Sequence, residues 1–138
     1  IGDVGWRRTA GGSGSPVWVS SDRNDTGWVD VALGPGWAAA RSAPQYQPKI
    51  RRVGSMVQLR GIIKNSLTGD ISNMCTVPAG FRPALDTTLG AYHSSNTNGH
   101  HGELVVTAAG VIQTGTGYYS GTLPVGSGIP LHGTWFIG

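Results

Sequence analysis

Glu103 is the only glutamate in this chain, and Lys49 and Lys64 are its only lysines. These are the residue types that usually cover exposed helix faces, through good propensity and i,i+4 pairing. A helical domain without them has to build its polar faces from Ser, Thr, Asn and Gly, which are poor helix formers. Glycine fills 23 of the 138 positions, more than twice the usual share of about 7%. An all-β, turn-rich fold with a surface of hydroxyls, amides and glycine is therefore expected. Five tryptophans and many aliphatic residues supply enough apolar mass to exclude disorder. No glycine period of three is sustained, which excludes collagen. The length suits one domain with a real core. No apolar run approaches the ~20 residues of a membrane span, and the chain shows no secretory leader pattern. It opens at Ile1, which reads as a fragment or a processed product.

The formal charge of +3 is a mild excess spread over 10 basic residues. Nucleic-acid binders gather such residues on one face, so no nucleic-acid partner is expected, and no membrane insertion. The densest group is Lys49-Ile50-Arg51-Arg52, with Arg60 and Lys64 further on. It reads as a solvated strand edge that discourages edge-to-edge pairing. Cys75 has no partner for an internal disulfide and reads as a small buried hydrophobe.

Residues 1–20 read as a flexible lead-in or the end of a stalk, with residues 21–138 as the folded domain. The stretch Gly11 to Pro16 is polar and glycine-rich, and Val17-Trp18-Val19 reads as a first short strand. Trp28 to Leu33 alternates, placing Val29, Val31 and Leu33 on one face of a strand. Ile50–Val53 turns through Gly54-Ser55 into Met56–Lys64, with Val57 and Leu59 inward and a phase-changing bulge expected at Gly61. A turn from Asn65 to Gly69 leads to a strand over Ile71–Val77. Pro78 to Pro83 cannot be a ladder strand, because its two prolines lack donors. Strands follow over Leu89–His93, Glu103–Thr107 and Val111–Thr114, the last two joined by Ala108-Ala109-Gly110 with glycine at positive φ. Gly115 to Gly128 reads as a loop or irregular strand, and Ile129–Ile137 as the last strand, with Trp135 and Ile137 on one face. About eight short antiparallel strands suit a single β-sandwich or jelly-roll-like domain.

Several of these segments occur in a familiar order. Asp25 to Asp30, Gly36-Trp37, Pro44-Gln45-Tyr46 and Arg51 to Gly61 precede Thr76-Val77-Pro78-Ala79-Gly80-Phe81-Arg82-Pro83. The Val106 to Ile112 hairpin and an apolar C-terminal strand complete the series. The chain over residues 25–138 resembles the C-terminal head domain of tailed-bacteriophage tail-fibre, tail-tip and baseplate proteins. The Pro-Ala-Gly-Phe-Arg-Pro element is the most specific part, and Gly54-Ser55 departs from the acidic residue expected after Val53. The resemblance implies a homotrimeric head on a virion tail, exposed to the extracellular medium, that attaches to a host cell-surface polymer, often a saccharide. Other tail proteins would join on the N-terminal side, where Gly2 and Gly5 read as the last trace of a glycine-repeat stalk. The alternative is a structural tail-tip or baseplate module that contacts other virion proteins.

Saccharide recognition needs aromatic faces for sugar C–H surfaces and polar groups to fix orientation, usually on loops at the end of a rigid scaffold. Two segments offer both. One carries Tyr92, His93, Asn96, Asn98, His100 and His101; the other carries Tyr118 and Tyr119. The competing reading makes Tyr92 and one of Tyr118 and Tyr119 core or interface aromatics above an ordinary polar loop. Trp28, Trp37 and Trp135 read as buried in a sheet or interface, and Trp6 and Trp18 as packed against a preceding stalk. A surface poor in charge suits neutral saccharide.

No metal or other cofactor is expected, since His93, His100 and His101 lack metal-ligand spacing. Nor is catalysis. A glycosidase needs two carboxylates flanking the scissile bond. The chain's few carboxylates, Asp25, Asp30, Asp70 and Asp86 among them, sit beside strands or in turns. Cys75 has no base at a recognisable spacing, and the repeated coils of a β-helical depolymerase are absent.

Overall fold

Strands dominate the computed structural model. It describes the backbone of residues 6–8, 18–20, 24–66, 71–94, 100–120 and 125–138, and the side chains of 24–66, 71–94, 100–115 and 125–138. The strands are β1 (Trp6–Arg8), β2 (Trp18–Ser20), β3 (Val29–Asp30), β4 (Ala32–Leu33), β5 (Trp37–Ala39) and β6 (Lys49–Val53). They continue with β7 (Met56–Asn65), β8 (Cys75–Thr76), β9 (Thr87–His93), β10 (His101–Val106), β11 (Val111–Ser120) and β12 (Gly128–Phe136). Single 3-10 turns occur at Pro44–Tyr46 and Ala79–Phe81, and the described residues contain no α-helix.

Ten strands form two antiparallel sheets. Sheet I has the order β12-β7-β6-β3, with β5 also paired to β7; sheet II has the order β4-β8-β11-β10-β9. β1 and β2 pair with each other as a separate two-stranded sheet among the described residues. Sheet I contributes Ile50, Val57, Leu59, Ile63, Ile129, Leu131 and Trp135 to the core, and sheet II contributes Cys75, Leu104, Val106 and Ile112. Each such aliphatic side chain contributes roughly 1.5–3 kcal/mol by leaving water, so one shared core fastens the two sheets together. The all-β, two-sheet expectation holds, with ten strands in place of about eight.

β7 organises sheet I, pairing with β12 along nine residues, with β6 over its first half and with β5 at its far end. Its inward side chains alternate without interruption through Val57, Leu59, Ile63 and Asn65. The bulge expected at Gly61 is absent, because the pairing Gly61↔Leu131 keeps its neighbours' register. Glycine is required there for another reason. Its φ is +126°, and a Cβ would lie 2.6 Å from the Pro48 Cα, where the β5–β6 connection crosses the strand. A contact made from outside the strand left the alternation intact.

Three further expectations are corrected. The run over Trp28–Leu33 is not one strand: Val29 pairs with Ile50 in sheet I, whereas Ala32 and Leu33 pair with Thr76 and Cys75 in sheet II. Buried Val31 is the corner where the chain changes sheets, so inward alternation survives although the ladder does not. The strand over Ile71–Val77 shrinks to Cys75–Thr76, and Met74 and Val77 reach sheet II through single bonds to the Ile112 and Gly110 carbonyls. The basic group at 49–52 is no free edge, since β6 lies between β7 and β3. Lys49 pairs with Asp30 at 2.6 Å, Arg51 with Asp25, and Arg52 donates from Nη1 to the Gly80 carbonyl at 2.7 Å.

The turn after β8 plugs one end of the sandwich. Phe81 N–H bonds back to the Pro78 carbonyl, which buries the Phe81 ring, and Trp135 Nε1 donates to the Phe81 carbonyl at 2.7 Å. Beside it, Ala108-Ala109-Gly110 reverses the chain between β10 and β11, with Gly110 at φ +87° as expected. The opposite end of sheet II carries His93, His101 and Ser120.

Candidate functional site

β9 and β10 pair in register as far as His93↔His101, and Ser94 N–H bonds to the His100 carbonyl at 2.8 Å. The two strands therefore end in a closed neck at Ser94 and His100. Strand alternation assigns the flanking side chains to opposite faces. Tyr92 and His100 turn inward, at 3% and 2% exposure, while His93 and His101 lie on the surface.

The inward pair forms a buried polar bridge. Tyr92 Oη lies 3.0 Å from His100 Nε2 and 2.7 Å from Thr114 Oγ1 on β11. A phenol has one proton, so Tyr92 donates to one of these groups and accepts from the other. Burial pushes the Tyr92 phenol up from its ordinary value, with the Thr114 bond acting the other way, so the phenol keeps its proton at neutral pH. Gly102 makes room for the bridge, because a Cβ there would sit 2.9 Å from Tyr92 Oη and 3.0 Å from the ring. Tyr92 and His100 thus support the neck from beneath, out of reach of a surface ligand.

The outward pair stacks. The His93 and His101 rings lie 6.4 Å apart between centroids and 5° from parallel. His93 Nδ1 donates to the Ser94 carbonyl at 2.8 Å, which leaves Nε2 as its remaining polar atom. Beside the pair, on the outer face of sheet II, a shallow concavity of about 350 Å³ is floored by Gly90, Ala91 and Gly102 and rimmed by Thr88, His101 and Glu103. Thr88 Oγ1 donates to Glu103 Oε1 at 2.5 Å, which fixes that carboxylate.

The second aromatic segment comes to the same place. Tyr119 pairs with Gly102 and Ser120 with His101, so the backbone of β11 brings Tyr118 and Tyr119 against the neck. Between Gly102↔Tyr119 and Leu104↔Thr114, one residue of β10 faces four of β11, residues 115–118. The side chains of Tyr118 and Tyr119, and the whole of Asn96 and Asn98, lie outside the described residues, as do the side chains of Trp6 and Trp18 and the stretch from Gly11 to Pro16. Among the described candidates, His93 and His101 reach the surface. Sequence reading missed Thr88 and Glu103, whose relevance comes only from the β9–β10 register.

Other chemistry is tied up locally. Among the described residues no three His, Cys, Asp or Glu side chains converge as a metal site, and the inward turn of His100 separates it from the outward pair. Burial pushes the Cys75 thiol up to about 12, so it carries no thiolate near neutrality. The Arg51 guanidinium, with the Gly27 N–H, holds the Asp25 carboxyl down at about 2. That group is no proton donor at neutral pH. Asp86 accepts from the Ala108 N–H at 2.8 Å. Trp37 and Trp135 are buried, whereas Trp28 is half-buried under the Arg60 guanidinium, 4.1 Å from its ring. A scan against protein-family models finds no match to this chain, and a search of curated proteins finds none.

Proposed function

We propose that this chain is a host-attachment domain of a bacteriophage tail, working without catalysis as a homotrimer that binds a surface polymer through its exposed tip. The observation that carries the reading is the division of labour between the ends. The segment most specific to the resemblance, residues 77–83, plugs one end of the core. The opposite end presents a histidine pair, a sugar-sized concavity and the Tyr118-Tyr119 backbone together. Three such tips on one particle gain avidity from effective concentration, so each site can be weak.

The purified domain, fluorescently labelled, is expected to decorate cells in a panel of bacterial envelopes and to compete with adsorption of the phage that carries it. Sedimentation is expected at three times the 14.3 kDa chain mass. A domain that binds no envelope and leaves adsorption unchanged is instead a structural module of the tail tip.

A further inference from the structure

The acidic residues of sheet I are gathered at one end of its outer face. Asp25 and Asp30 hold Arg51 and Lys49, beside the β3–β6 pairing. The other two carboxylates with described side chains, Asp86 and Glu103, bond to Ala108 N–H and Thr88. At the opposite end, between the continuation of β5 and β12, lies a groove of about 330 Å³. Ala40, Ile62 and Pro130 give it an apolar lining, and Arg41, Lys64 and His93 supply its polar groups. Among the described residues no carboxylate lines it.

These groups are held in position. Ala40 N–H bonds to the Ile62 carbonyl at 2.9 Å, and Gln47 Nε2 donates to the Arg41 carbonyl. The Arg41 guanidinium rests over the Tyr46 ring, 4.8 Å from its centroid. Lys64 projects from the centre of a three-strand ladder, paired with Ala38 and Gly128. The groove is thus a preorganised cationic rim around an apolar floor, at the lower end of the roughly 300–1,000 Å³ typical of small-molecule sites. His93 contributes from the neighbouring tip, which links the groove to the β9–β10 neck.

We infer that this groove binds an acidic sugar of the uronate type, one carboxylate on a pyranose ring. The ring's C–H face covers Ile62 and Pro130, and the carboxylate meets the planar fork of Arg41, whose geometry matches two oxygens. Lys64 remains for a second carboxylate, and His93 Nε2 accepts from a sugar hydroxyl. The inference deepens the attachment reading and rests on it for its biological setting. It also replaces the neutral saccharide expected from overall composition, because charge is sparse over the whole chain, whereas the described residues here bring two cations together with no carboxylate beside them.

The test compares two isosteric probes, a β-1,4-linked glucuronate trisaccharide and cellotriose, by calorimetry at low salt. The uronate is expected to bind about tenfold tighter, an advantage that shrinks as salt is added. Arg41→Gln and Lys64→Gln are each expected to weaken it about fivefold at unchanged Tm, while Lys49→Gln, whose side chain is paired with Asp30, leaves it unchanged. Equal binding of the two probes, or affinity that survives the double variant, overturns the inference. Tighter binding of glucose 6-phosphate overturns the assignment to a carboxylate. Envelope attachment undiminished in the double variant removes the groove from attachment without touching the tip. A wild-type domain that binds uronate yet decorates no envelope sinks the attachment reading alone.

Discussion

At the plugged end of the sandwich, side chains bond straight to backbone carbonyls: Trp135 to Phe81, Arg52 to Gly80, and Arg82 Nε to Val77 at 3.3 Å. At the tip the corresponding work is done one layer deeper. Tyr92 ties His100 to Thr114 beneath the neck, and His93 and His101 stack on the surface above it. The first arrangement spends its polar groups on closing the fold. The second joins its buried phenol to its neighbours and keeps its stacked imidazoles at the surface. A rigid base under an open rim is what a recognition surface requires, since ordering a loop at the moment of binding subtracts from affinity.

The contrast can be broken first at the plug. Phe81→Ala removes a buried ring and is expected to cost about 3 kcal/mol or more in urea unfolding, while the binding proposed for the tip, measured on the remaining folded protein, stays unchanged. Tyr92→Phe is the matching change at the tip. It removes the hydroxyl that bridges His100 and Thr114, for a smaller loss of about 1–3 kcal/mol. Amide exchange at Ser94 is expected to accelerate there and not in the Phe81 variant. If both variants loosen Ser94 equally, the ends are not independent.

The smallest effect is at the rim of the plugged end. Asp25, held at about 2 against an ordinary 3.8, favours the folded state fully above about pH 4. That contribution fades as the pH falls through 2. Asp25→Asn is expected to lower Tm slightly near neutrality, with the gap from wild type closing over that acid window. A gap that persists at pH 2 would mean that the carboxylate's charge is not the cause.

Much of this was readable along the chain because it is local. Val57, Leu59 and Ile63 declare their inward face by alternation, and Gly110 marks its turn by position. Tyr92, His93, His100 and His101 were legible as a cluster. Their opposite roles were not, because they lie on two separate stretches of chain that only the β9–β10 register relates. Gly61 shows the limit from another side: its positive φ answers to Pro48, thirteen residues earlier, and no pattern within β7 points there. Arg41 and Lys64 had no shared signal at all. They meet because β5 lies against the far end of β7.

The mismatch between β10 and β11 has an evolutionary consequence. Glu103 stands opposite residues 115–118, while the ladder on the plug side keeps its own register through Leu104↔Thr114. A strand with such slack can gain or lose a residue there and leave the Gly110 reversal undisturbed. On the proposed attachment reading, lineages facing a changed target can therefore alter the length and character of the rim while inheriting the scaffold intact.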